Sequence, residues 1–380
     1  MKITYNKIFF IIFAFIWMGF ILWNLKTPPI IFSENENRYL AEIPKFTASR
    51  FISGEFMHGI DDYINDHFVL RDQWIGVKVI LERLLLKQEI NSVYFAKDDY
   101  LIERHKVSDV SKEQADKNRA YLIEFINSCS SKLGKEYVKV MLIPTASEVL
   151  TDKLPPFAKD IDYNQNSYLA TLSSAIRDNL IDVSDTLKEH RTEYIYYRTD
   201  HHWSTLGAYY AYVQWAQELG FHPFEQDQFD ILLASDQFYG TLHSKVNLKI
   251  KPDHIYLYKI KDPMNYKLTY DLEVQTDTLY DLEKLKGKDK YSVFMGGNHA
   301  IVQIQTSHHN ARKLLVIKDS YANSYTPFAI NHFELTYMVD LRYYNGSINH
   351  LIEESEITDV LLLYNVMGFV NDRNILKLVK

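Results

Sequence analysis

The strongest pattern along the chain is a run of apolar residues near its amino end. Every residue from Ile8 to Trp23 is apolar or Gly, and Leu25 extends the run past Asn24. At 1.5 Å per residue, a helix of this length is just long enough to span a bilayer core of about 30 Å. A cleaved signal peptide has a shorter apolar core followed by small residues, whereas this run ends in bulky side chains. The sequence therefore predicts a single-pass signal anchor in residues 1–28.

The charges around this run predict its orientation. Lys2 and Lys7 precede it, whereas Glu34 and Glu36 follow it soon after Lys26. Lysines that flank a membrane span are enriched on its cytoplasmic side, so this is a modest positive-inside bias. We therefore expect the rest of the chain to lie outside the cytoplasm, attached to the cell membrane.

Cysteine use and net charge narrow the class of protein further. The only cysteine, Cys129, lies in an apolar helical stripe with Leu122 and Ile126, so we expect it in the core. An exported domain without disulfides suits the surface of a Gram-positive bacterium. Lys and Arg total 42 against 49 Asp and Glu, and the anchor holds three of the lysines but no acid. The remainder is therefore acidic, and because it has no basic stripe we expect no nucleic-acid binding.

A stalk and a helical neck are predicted between the anchor and the main domain, over residues 29–90. Residues 29–50 are polar and extended in character. Residues 51–87 favour helix, and their last part, from Gln73 to Lys87, carries apolar side chains at helical spacing on one side: Trp74, Val77, Leu81, Leu84 and Leu85.

From residue 91 to residue 380, short β-rich runs alternate with amphipathic helices. Predicted helices begin at Ser111, which forms a capping box with Gln114, at Gln165 (to Asn179) and after Ser204. The predicted strands are Tyr137–Ile143, Ile181–Val183, Tyr194–Tyr197, Tyr291–Met295, Lys313–Ile317, Phe333–Met338 and Asp359–Tyr364, and residues 221–285 are expected to be irregular. Several strands are apolar throughout, as strands covered on both faces must be. The alternation predicts an α/β fold in which helices sandwich a central, mostly parallel sheet.

Polar residues, and in one case a glycine, follow three of these strands at the points where the strands end. They are Asp200 and His202 after the strand ending at residue 197, Gly297 and Asn298 after residue 295, and Ser320 after residue 317. In a parallel sheet, functional groups collect at the carboxyl ends of the strands. A serine, a histidine braced by an aspartate, and amide donors are the groups that acyl transfer requires. The pattern therefore predicts an acyl-transfer site.

Other interpretations of the same residues stay open. An Asp-x-His pair is often a structural hydrogen bond, and Gly-Gly-Asn after a strand is often only a turn. The chain also holds enough ligands for zinc: Asp200, His201, His202, His299, His308 and His309. Adjacent histidines in an extended segment point to opposite faces, so His201 and His202 are not expected to bind one ion. We therefore predict no metal site.

The string Thr199-Asp200-His201-His202-Trp203 resembles the signature of the DHHW proteins, which are similar to the alginate O-acetyltransferase proteins of the SGNH-hydrolase-like superfamily. Shorter matches fall in the family's order over residues 50–345, among them Gly296-Gly297-Asn298 and Lys318-Asp319-Ser320-Tyr321. The resemblance implies an SGNH-like three-layer domain over residues 91–380. It makes Ser320 the nucleophile, His202 the base and Asp200 its partner, with Gly297, Asn298 and Tyr321 at oxyanion or substrate-binding positions.

The resemblance also implies an activity. Members of this group are extracytoplasmic acetyltransferases that acetylate hydroxyls of a surface polysaccharide, and a membrane-bound O-acyltransferase partner supplies the acetyl group. No cofactor is expected. Two alternatives stay open: a carbohydrate esterase with the same three residues, in which water replaces the sugar, and a non-catalytic protein of this fold that binds glycan or an assembly partner.

Overall fold

The computed structural model describes residues 5–33, 38–158, 162–248, 250–262 and 264–380. By its internal contacts the chain divides into two units. The first comprises Met1–Lys87 with Ser244–Lys249, and the second comprises Gln88–His243 with Ile250–Lys380.

Within the described residues, the α-helices are α1 (Tyr5–Lys26), α2 (Ala48–Ile52), α3 (Glu55–His67), α4 (Arg71–Leu84), α5 (Lys112–Leu133), α6 (Ala146–Val149), α7 (Gln165–Ser173), α8 (Ser184–Glu189), α9 (Thr205–Glu218), α10 (Thr241–Val246), α11 (Ala322–Ala329), α12 (Ile348–Glu354) and α13 (Val366–Asn371). The strands are β1 (Phe32–Ser33), β2 (Arg38–Tyr39), β3 (Glu89–Ile90), β4 (Val93–Phe95), β5 (Leu101–Glu103), β6 (Val138–Ile143), β7 (Phe229–Phe238), β8 (Asp253–Ile260), β9 (Tyr266–Tyr270), β10 (Val274–Thr276), β11 (Ile301–Thr306), β12 (Lys313–Lys318), β13 (Leu335–Val339) and β14 (Asp359–Asn365).

The first unit is mainly helical. The apolar run predicted from the sequence forms α1, and of the helices in the described part of the chain it alone is long and apolar enough to cross a membrane. The segment expected to be extended contains the paired two-residue strands β1 and β2. The helical region that follows is divided into α2, α3 and α4, with Leu70 in the left-handed conformation (φ 59°) between the last two.

A seven-stranded sheet forms the centre of the second unit, in the order β10-β9-β11-β13-β12-β14-β6. The four strands β13, β12, β14 and β6 are parallel. The other three, β11, β9 and β10, add on antiparallel at one edge. The predicted central, mostly parallel sheet is therefore confirmed, with an antiparallel extension that the sequence did not indicate.

Helices cover both faces of this sheet. Strands β6, β12 and β14 are buried over almost their whole length, as predicted for strands covered on both faces. α9 and α11 pack in the hydrophobic cluster on one face, and α5 and α13 in the cluster on the other. α5 begins as predicted, because the Ser111 side chain accepts the Gln114 N–H. Cys129, on α5, is buried in the second cluster, which confirms its predicted core position.

Three of the predicted strands are wrong. Tyr194–Tyr197 forms only an isolated bridge between Tyr196 and Trp203, and Ile181–Val183 adjoins only the bridge from Val140 to Leu180. The third, Tyr291–Met295, lies mainly in the 3-10 helix Lys290–Val293. Aromatic and branched side chains are common in strands because they suit buried surfaces, and here they are buried without pairing into a ladder.

Two further expectations are corrected. Residues 221–285 are not irregular, because β7 and β8 form an antiparallel hairpin there and β9 and β10 follow. The hairpin lies outside the central sheet and β7 exposes three consecutive apolar residues from Ile231 to Leu233, so no alternating pattern marks it. The predicted helix Gln165–Asn179 ends at Ser173, where the Thr171 and Ser174 hydroxyls bond nearby carbonyls and compete with the helical ladder.

Candidate active site

Three side chains from two distant segments of the second unit form a hydrogen-bonded line. Ser320 Oγ lies 2.7 Å from His202 Nε2, and His202 Nδ1 lies 2.6 Å from Asp200 Oδ1. The structure thus brings together the residues predicted as nucleophile, base and orienting acid. Because an ionised carboxylate only accepts, Nδ1 carries the proton and Nε2 accepts from the serine hydroxyl. In this arrangement an imidazole can take the serine proton as the oxygen attacks an acyl group.

A buried carboxylate shapes the loop that carries the base. Asp253, the first residue of β8, is fully buried. It accepts the N–H groups of Arg198 and Thr199, each at 2.7 Å, together with the hydroxyls of Thr199 and Tyr194. Burial raises the pKa of the Asp253 carboxyl, although these hydrogen bonds oppose that shift. Asp253 therefore fixes the backbone immediately before Asp200.

The Asp200 carboxylate is held by a second set of contacts. Its Oδ2 accepts the Thr241 N–H at 2.8 Å and the Thr241 hydroxyl at 3.1 Å, while its Oδ1 faces His202. A β-carbon built on Gly240 would overlap the Asp200 side chain, so only glycine allows this close approach. The start of α10 therefore orients the acid that orients the base.

The nucleophile is positioned by the parallel sheet. β12 ends at Lys318, and Ser320 lies in the turn that leads into α11. The Asp319 carboxylate accepts the Tyr321 N–H at 2.9 Å, and the Asn365 N–H at 2.8 Å and side-chain amide at 2.7 Å. Burial raises the pKa of Asp319 to about 6, against the effect of these bonds. Since Asn365 ends the neighbouring strand β14, the turn that presents Ser320 is tied directly to the sheet.

Two aromatic residues join the base segment to the nucleophile segment. The Trp203 indole N–H donates to the Tyr321 carbonyl at 3.0 Å, and the Tyr321 hydroxyl donates to the His201 carbonyl at 2.6 Å. Both side chains are buried. Tyr321, predicted at an oxyanion or substrate-binding position, therefore has its hydroxyl occupied in a brace between the two segments.

A third aromatic residue, Tyr291, supports the imidazole from one side. Its ring stacks on the His202 ring, with centroids 3.8 Å apart and an angle of 11° between the planes. Its hydroxyl donates to the Ser320 carbonyl at 3.1 Å and lies 3.0 Å from Ser324 Oγ. Tyr291 thus contacts both reacting partners, although the sequence pattern placed it in a strand.

The protonation states of the three residues suit acyl transfer. Burial lowers the pKa of the His202 imidazole to about 4, helped by the neighbouring His201 and opposed by Asp200. Burial alone would raise the pKa of Asp200, but the two histidines and the hydrogen bonds from His202 and Thr241 hold it well below its usual range. At neutral pH the base is therefore neutral and its partner ionised.

The Gly-Gly-Asn turn is built differently from the expectation. Met295, Gly296 and Gly297 all have positive φ (59°, 69° and 103°), and the Gly297 N–H donates to the Phe294 carbonyl at 3.1 Å. That N–H is occupied, so the structure does not support Gly297 as an oxyanion donor. Asn298 is exposed, and its side-chain oxygen accepts two hydrogen bonds. The amide nitrogen of Asn298 is then the atom left to donate.

Lys318 holds this turn through hydrogen bonds from its ammonium group. Its ammonium group is buried, 2.7 Å from Asn323 Oδ1 and 3.1 Å from Asn298 Oδ1, and 3.8 Å from the Asp340 carboxylate. Burial lowers the pKa of Lys318 to about 8, opposed by Asp340. Because a lysine ammonium only donates, it fixes which way both asparagine amides point.

The histidine pair does not have the geometry expected of an extended segment. The rings of His201 and His202 lie 3.9 Å apart, because the segment turns, and with Asp200 they form a group whose ligand atoms lie within 4.8 Å of one another. Both ring nitrogens of His202 are hydrogen-bonded, however, and His201 Nδ1 lies 2.8 Å from Thr241 Oγ1. A metal ion at this point would have to displace the bonds that align the three residues.

A cavity of about 290 Å³ opens beside Asp200 and Tyr321. This volume is at the lower end for small-molecule sites. Its lining is mixed, with apolar surface from Ala146, Leu242 and Met367 and with hydroxyl, amide, imidazole and carboxyl groups from Glu103, His105, Thr145, Ser147, Asn365 and Asn371. Such a lining suits a small, hydroxyl-rich molecule.

Sequence reasoning missed the residues that support the three central ones. They are Asp253, Thr241, Gly240, Tyr291 and Asn365. All five lie between 40 and 89 residues along the chain from a residue of the site that they contact, and each is an ordinary residue type. The short motif around residue 200 indicates the base, but nothing in one sequence indicates what holds it.

Solved structures of other proteins are similar to this chain. A DHHW family protein from Eubacterium siraeum is 26% identical, over 76% of this chain and 95% of that chain, with a TM-score of 0.62. Bacillus cereus PatB1 is 18% identical, over 73% of this chain and 97% of its own, with a TM-score of 0.62. The O-acetyltransferase domain of Pseudomonas putida AlgJ is 11% identical, over 74% and 93%, with a TM-score of 0.45. No curated protein matches the sequence.

The family match includes the whole hydrogen-bonded line. Residues 91–339, well over half of the chain, match the family described as DHHW protein. This range contains Asp200, His202 and Ser320, and it begins three residues after the second unit does. The chain therefore belongs to the DHHW protein family.

Proposed function

We propose that this protein is a membrane-anchored O-acetyltransferase that transfers acetyl groups to hydroxyls of a cell-surface polysaccharide. The observation that carries the proposal is the alignment of Ser320, His202 and Asp200 by hydrogen bonds of 2.7 and 2.6 Å. Membership of the DHHW family, whose motif is similar to that of alginate O-acetyltransferases, favours acetyl as the group transferred.

The first step acetylates the serine. Ser320 Oγ attacks the carbonyl carbon of the acetyl donor while His202 Nε2 takes the hydroxyl proton, and Asp200 stabilises the imidazolium that forms. The tetrahedral intermediate collapses when the bond to the donor oxygen breaks and His202 returns the proton to that leaving group. In the second step a sugar hydroxyl loses its proton to His202 and attacks the acetyl carbon; the bond from that carbon to Ser320 Oγ then breaks, and His202 returns the proton to Oγ.

Two groups are available to stabilise the negative oxygen of the intermediate. Among the described residues, the Ser320 N–H has no hydrogen-bond partner, and neither does the Asn298 amide nitrogen. Pre-positioned donors of this kind act on charge that develops only in the transition state. We therefore assign the oxyanion role to Ser320 N–H and Asn298 in place of Gly297.

The cavity and α1 support the proposed sugar acceptor and the proposed location outside the cytoplasm. The cavity beside Asp200 suits a sugar ring whose hydroxyls bond to the polar groups of its lining. α1, anchored in the membrane, holds the second unit on the outer side, where the surface polymer lies. A membrane-bound O-acyltransferase partner is the proposed source of the acetyl group.

A serine substitution tests this proposal. Ser320→Ala removes the nucleophile, so we expect release of acetate from p-nitrophenyl acetate to fall at least about 10³-fold in kcat. Ser307→Ala is the control, because Ser307 is exposed and, within the described part of the chain, its hydroxyl bonds only the Met264 sulfur. A Ser320→Ala protein that works at the wild-type rate would exclude this residue as the nucleophile.

Product analysis then separates transfer from hydrolysis. With labelled acetyl donor and an oligosaccharide acceptor, a transferase places label on the sugar, and intact-protein mass shows a transient gain of one acetyl group on the wild type. Label found only in free acetate would replace the proposal with an esterase.

A further inference from the structure

α4 carries a stripe of apolar side chains that the described residues leave largely open. We define the α4 stripe as Trp74, Val77, Leu81, Leu84 and Leu85, each between 45% and 76% exposed. Spacings of three and four residues place these side chains on one face of the helix. Contiguous apolar surface of this kind is typical of a binding face.

The opposite face fixes the orientation of the helix. Gly76 and Val79 are buried, and the Gly76 backbone lies so close to the Asn247 carbonyl that an added β-carbon would sit 3.0 Å from it. The Asn247 side chain also donates to the Asp72 carbonyl at 2.6 Å. All these residues belong to the first unit, so the stripe cannot simply rotate inward.

Contacts within the first unit place the Trp74 end of the stripe at a defined depth along α1. The Phe20 ring, on α1, lies 6.3 Å from the Phe68 ring and 6.1 Å from the Trp74 ring. The Val69 N–H donates to Asn24 Oδ1 at 2.9 Å. Phe20 precedes Lys26, the end of α1, by six residues, or about 9 Å along the helix axis. Amphipathic helices that lie in a membrane interface bury their apolar face by about 5–10 Å, which matches this depth.

The charges of α4 are compatible with lipid contact. The acids of the helix, Asp72 and Glu82, lie on other faces, and Glu82 pairs with Lys87 at 3.2 Å. Lys78 borders the stripe, where its long side chain can reach the headgroups while its stem stays in the apolar layer. A carboxylate on the stripe would have opposed insertion.

We propose that the α4 stripe lies in the outer interface of the bilayer that α1 spans. The first unit then contacts lipid in two places, through α1 and through the α4 stripe. This differs from the predicted helical neck, which would lie outside the membrane. This inference rests on the proposed membrane anchor, since the depth of Trp74 is measured along α1. A protein partner is the other occupant that such a stripe fits. Quenching by lipid in vesicles that contain no other protein distinguishes the two.

Site-specific fluorescence on the full-length protein tests the inference. In a Cys129→Ala background, Leu81→Cys labelled with NBD reports on the stripe, and Arg83→Cys is the matched control, an exposed position beyond Gly76 and Val79 on the opposite side of the same helix. Ile12→Cys reports on α1. Each protein is reconstituted in phosphatidylcholine/phosphatidylglycerol vesicles without any other protein, and quenching by shallow doxyl lipid and by aqueous iodide is measured.

We expect the Leu81 label to be quenched severalfold more by doxyl lipid than the Arg83 label, and to be protected from iodide. A Leu81 label as open to iodide as the Arg83 label, with the Ile12 label protected, would overturn the inference while leaving the anchor intact. That is also the result expected if a protein covers the stripe. An Ile12 label open to iodide would overturn both the anchor and the inference.

Discussion

The segment that carries the nucleophile and the segment that carries the base are held by different forces. Ser320 follows a central strand of the parallel sheet, and its turn is bonded through Asp319 to the neighbouring strand at Asn365. His202 follows no strand, and beside one isolated bridge its loop is held mainly by side-chain contacts, with four hydrogen bonds to Asp253 and two from Thr241. A ladder of backbone hydrogen bonds between strands is cooperative, whereas each of those side-chain contacts can be lost by substituting a single residue.

This difference indicates where the site is vulnerable. A substitution near Ser320 leaves the strand ladder in place, but one near His202 can release the loop that sets the position of the imidazole. The brace between Trp203 and Tyr321 then transmits any movement to the other segment. We therefore expect substitutions around the base to lower activity more than their effect on stability would suggest.

The largest expected effect on the base side comes from Asp200→Asn. An amide in place of the carboxylate can donate to Nδ1, which moves the imidazole proton to Nε2 and removes the acceptor for the serine hydroxyl. We expect kcat to fall about 10³–10⁴-fold with p-nitrophenyl acetate, with little change in the melting temperature. The chain supplies a control in its other Asp–His pair, Asp271 and His299, 2.9 Å apart. Asp271→Asn should leave kcat unchanged, and equal losses in the two variants would contradict the assignment.

A smaller effect is expected when the loop is loosened without touching the three central residues. Asp253→Asn presents an amide NH₂ to a cluster of donors, so at least one buried hydrogen bond is lost, at about 1–3 kcal/mol in unfolding free energy. We expect kcat/KM to fall about 10–100-fold, which matches a misplacement of about 1 Å. Kinetics and chemical denaturation measured on the same preparations separate the two effects.

Tyr194→Phe is the matched control for this variant, since it removes only one of the donors to Asp253. We expect less than a tenfold loss. If Asp253→Asn behaved no differently from Tyr194→Phe, the loop would not depend on the buried carboxylate, and the contrast between the two segments would fail.

The same contrast explains how much of the molecule the sequence could predict. The buried strands that present Ser320 are continuous apolar runs, and a run such as Asp359–Tyr364 is visible without any neighbour. The spacing of Asp200 and His202 is likewise local, since both lie in one turn. Each of these features is written in adjacent residues, so periodicity and motif reasoning recover them.

The residues that hold the His202 loop come from distant parts of the chain, and no local sequence pattern indicates these contacts. Asp253 begins β8 and Gly240 follows β7, in a region that was expected to be irregular, and Tyr291 lies in a 3-10 helix that has the composition of a strand. Glycine at 240 is required by a single overlap with Asp200, which only the folded chain reveals. The hydrogen bond from the Gly297 N–H to the Phe294 carbonyl, inside its own turn, is likewise visible only in the folded chain.

The smallest expected effect is that of pH across the neutral range. Because burial lowers the pKa of His202 to about 4, the imidazole is already neutral at pH 7 and further alkali changes nothing at this group. As pH falls through about 4, His202 gains a proton and can no longer accept one from Ser320, so kcat/KM should fall about tenfold per unit. The assay is a pH series with p-nitrophenyl acetate, and samples returned to pH 7 before measurement show whether the loss is reversible. An acid limb centred near the ordinary histidine pKa of about 6.5 would mean that His202 is not buried as described. It would also mean that water reaches the loop that carries His202. Because this loop is held less firmly than the segment that carries Ser320, we expect any loosening of the site to begin there.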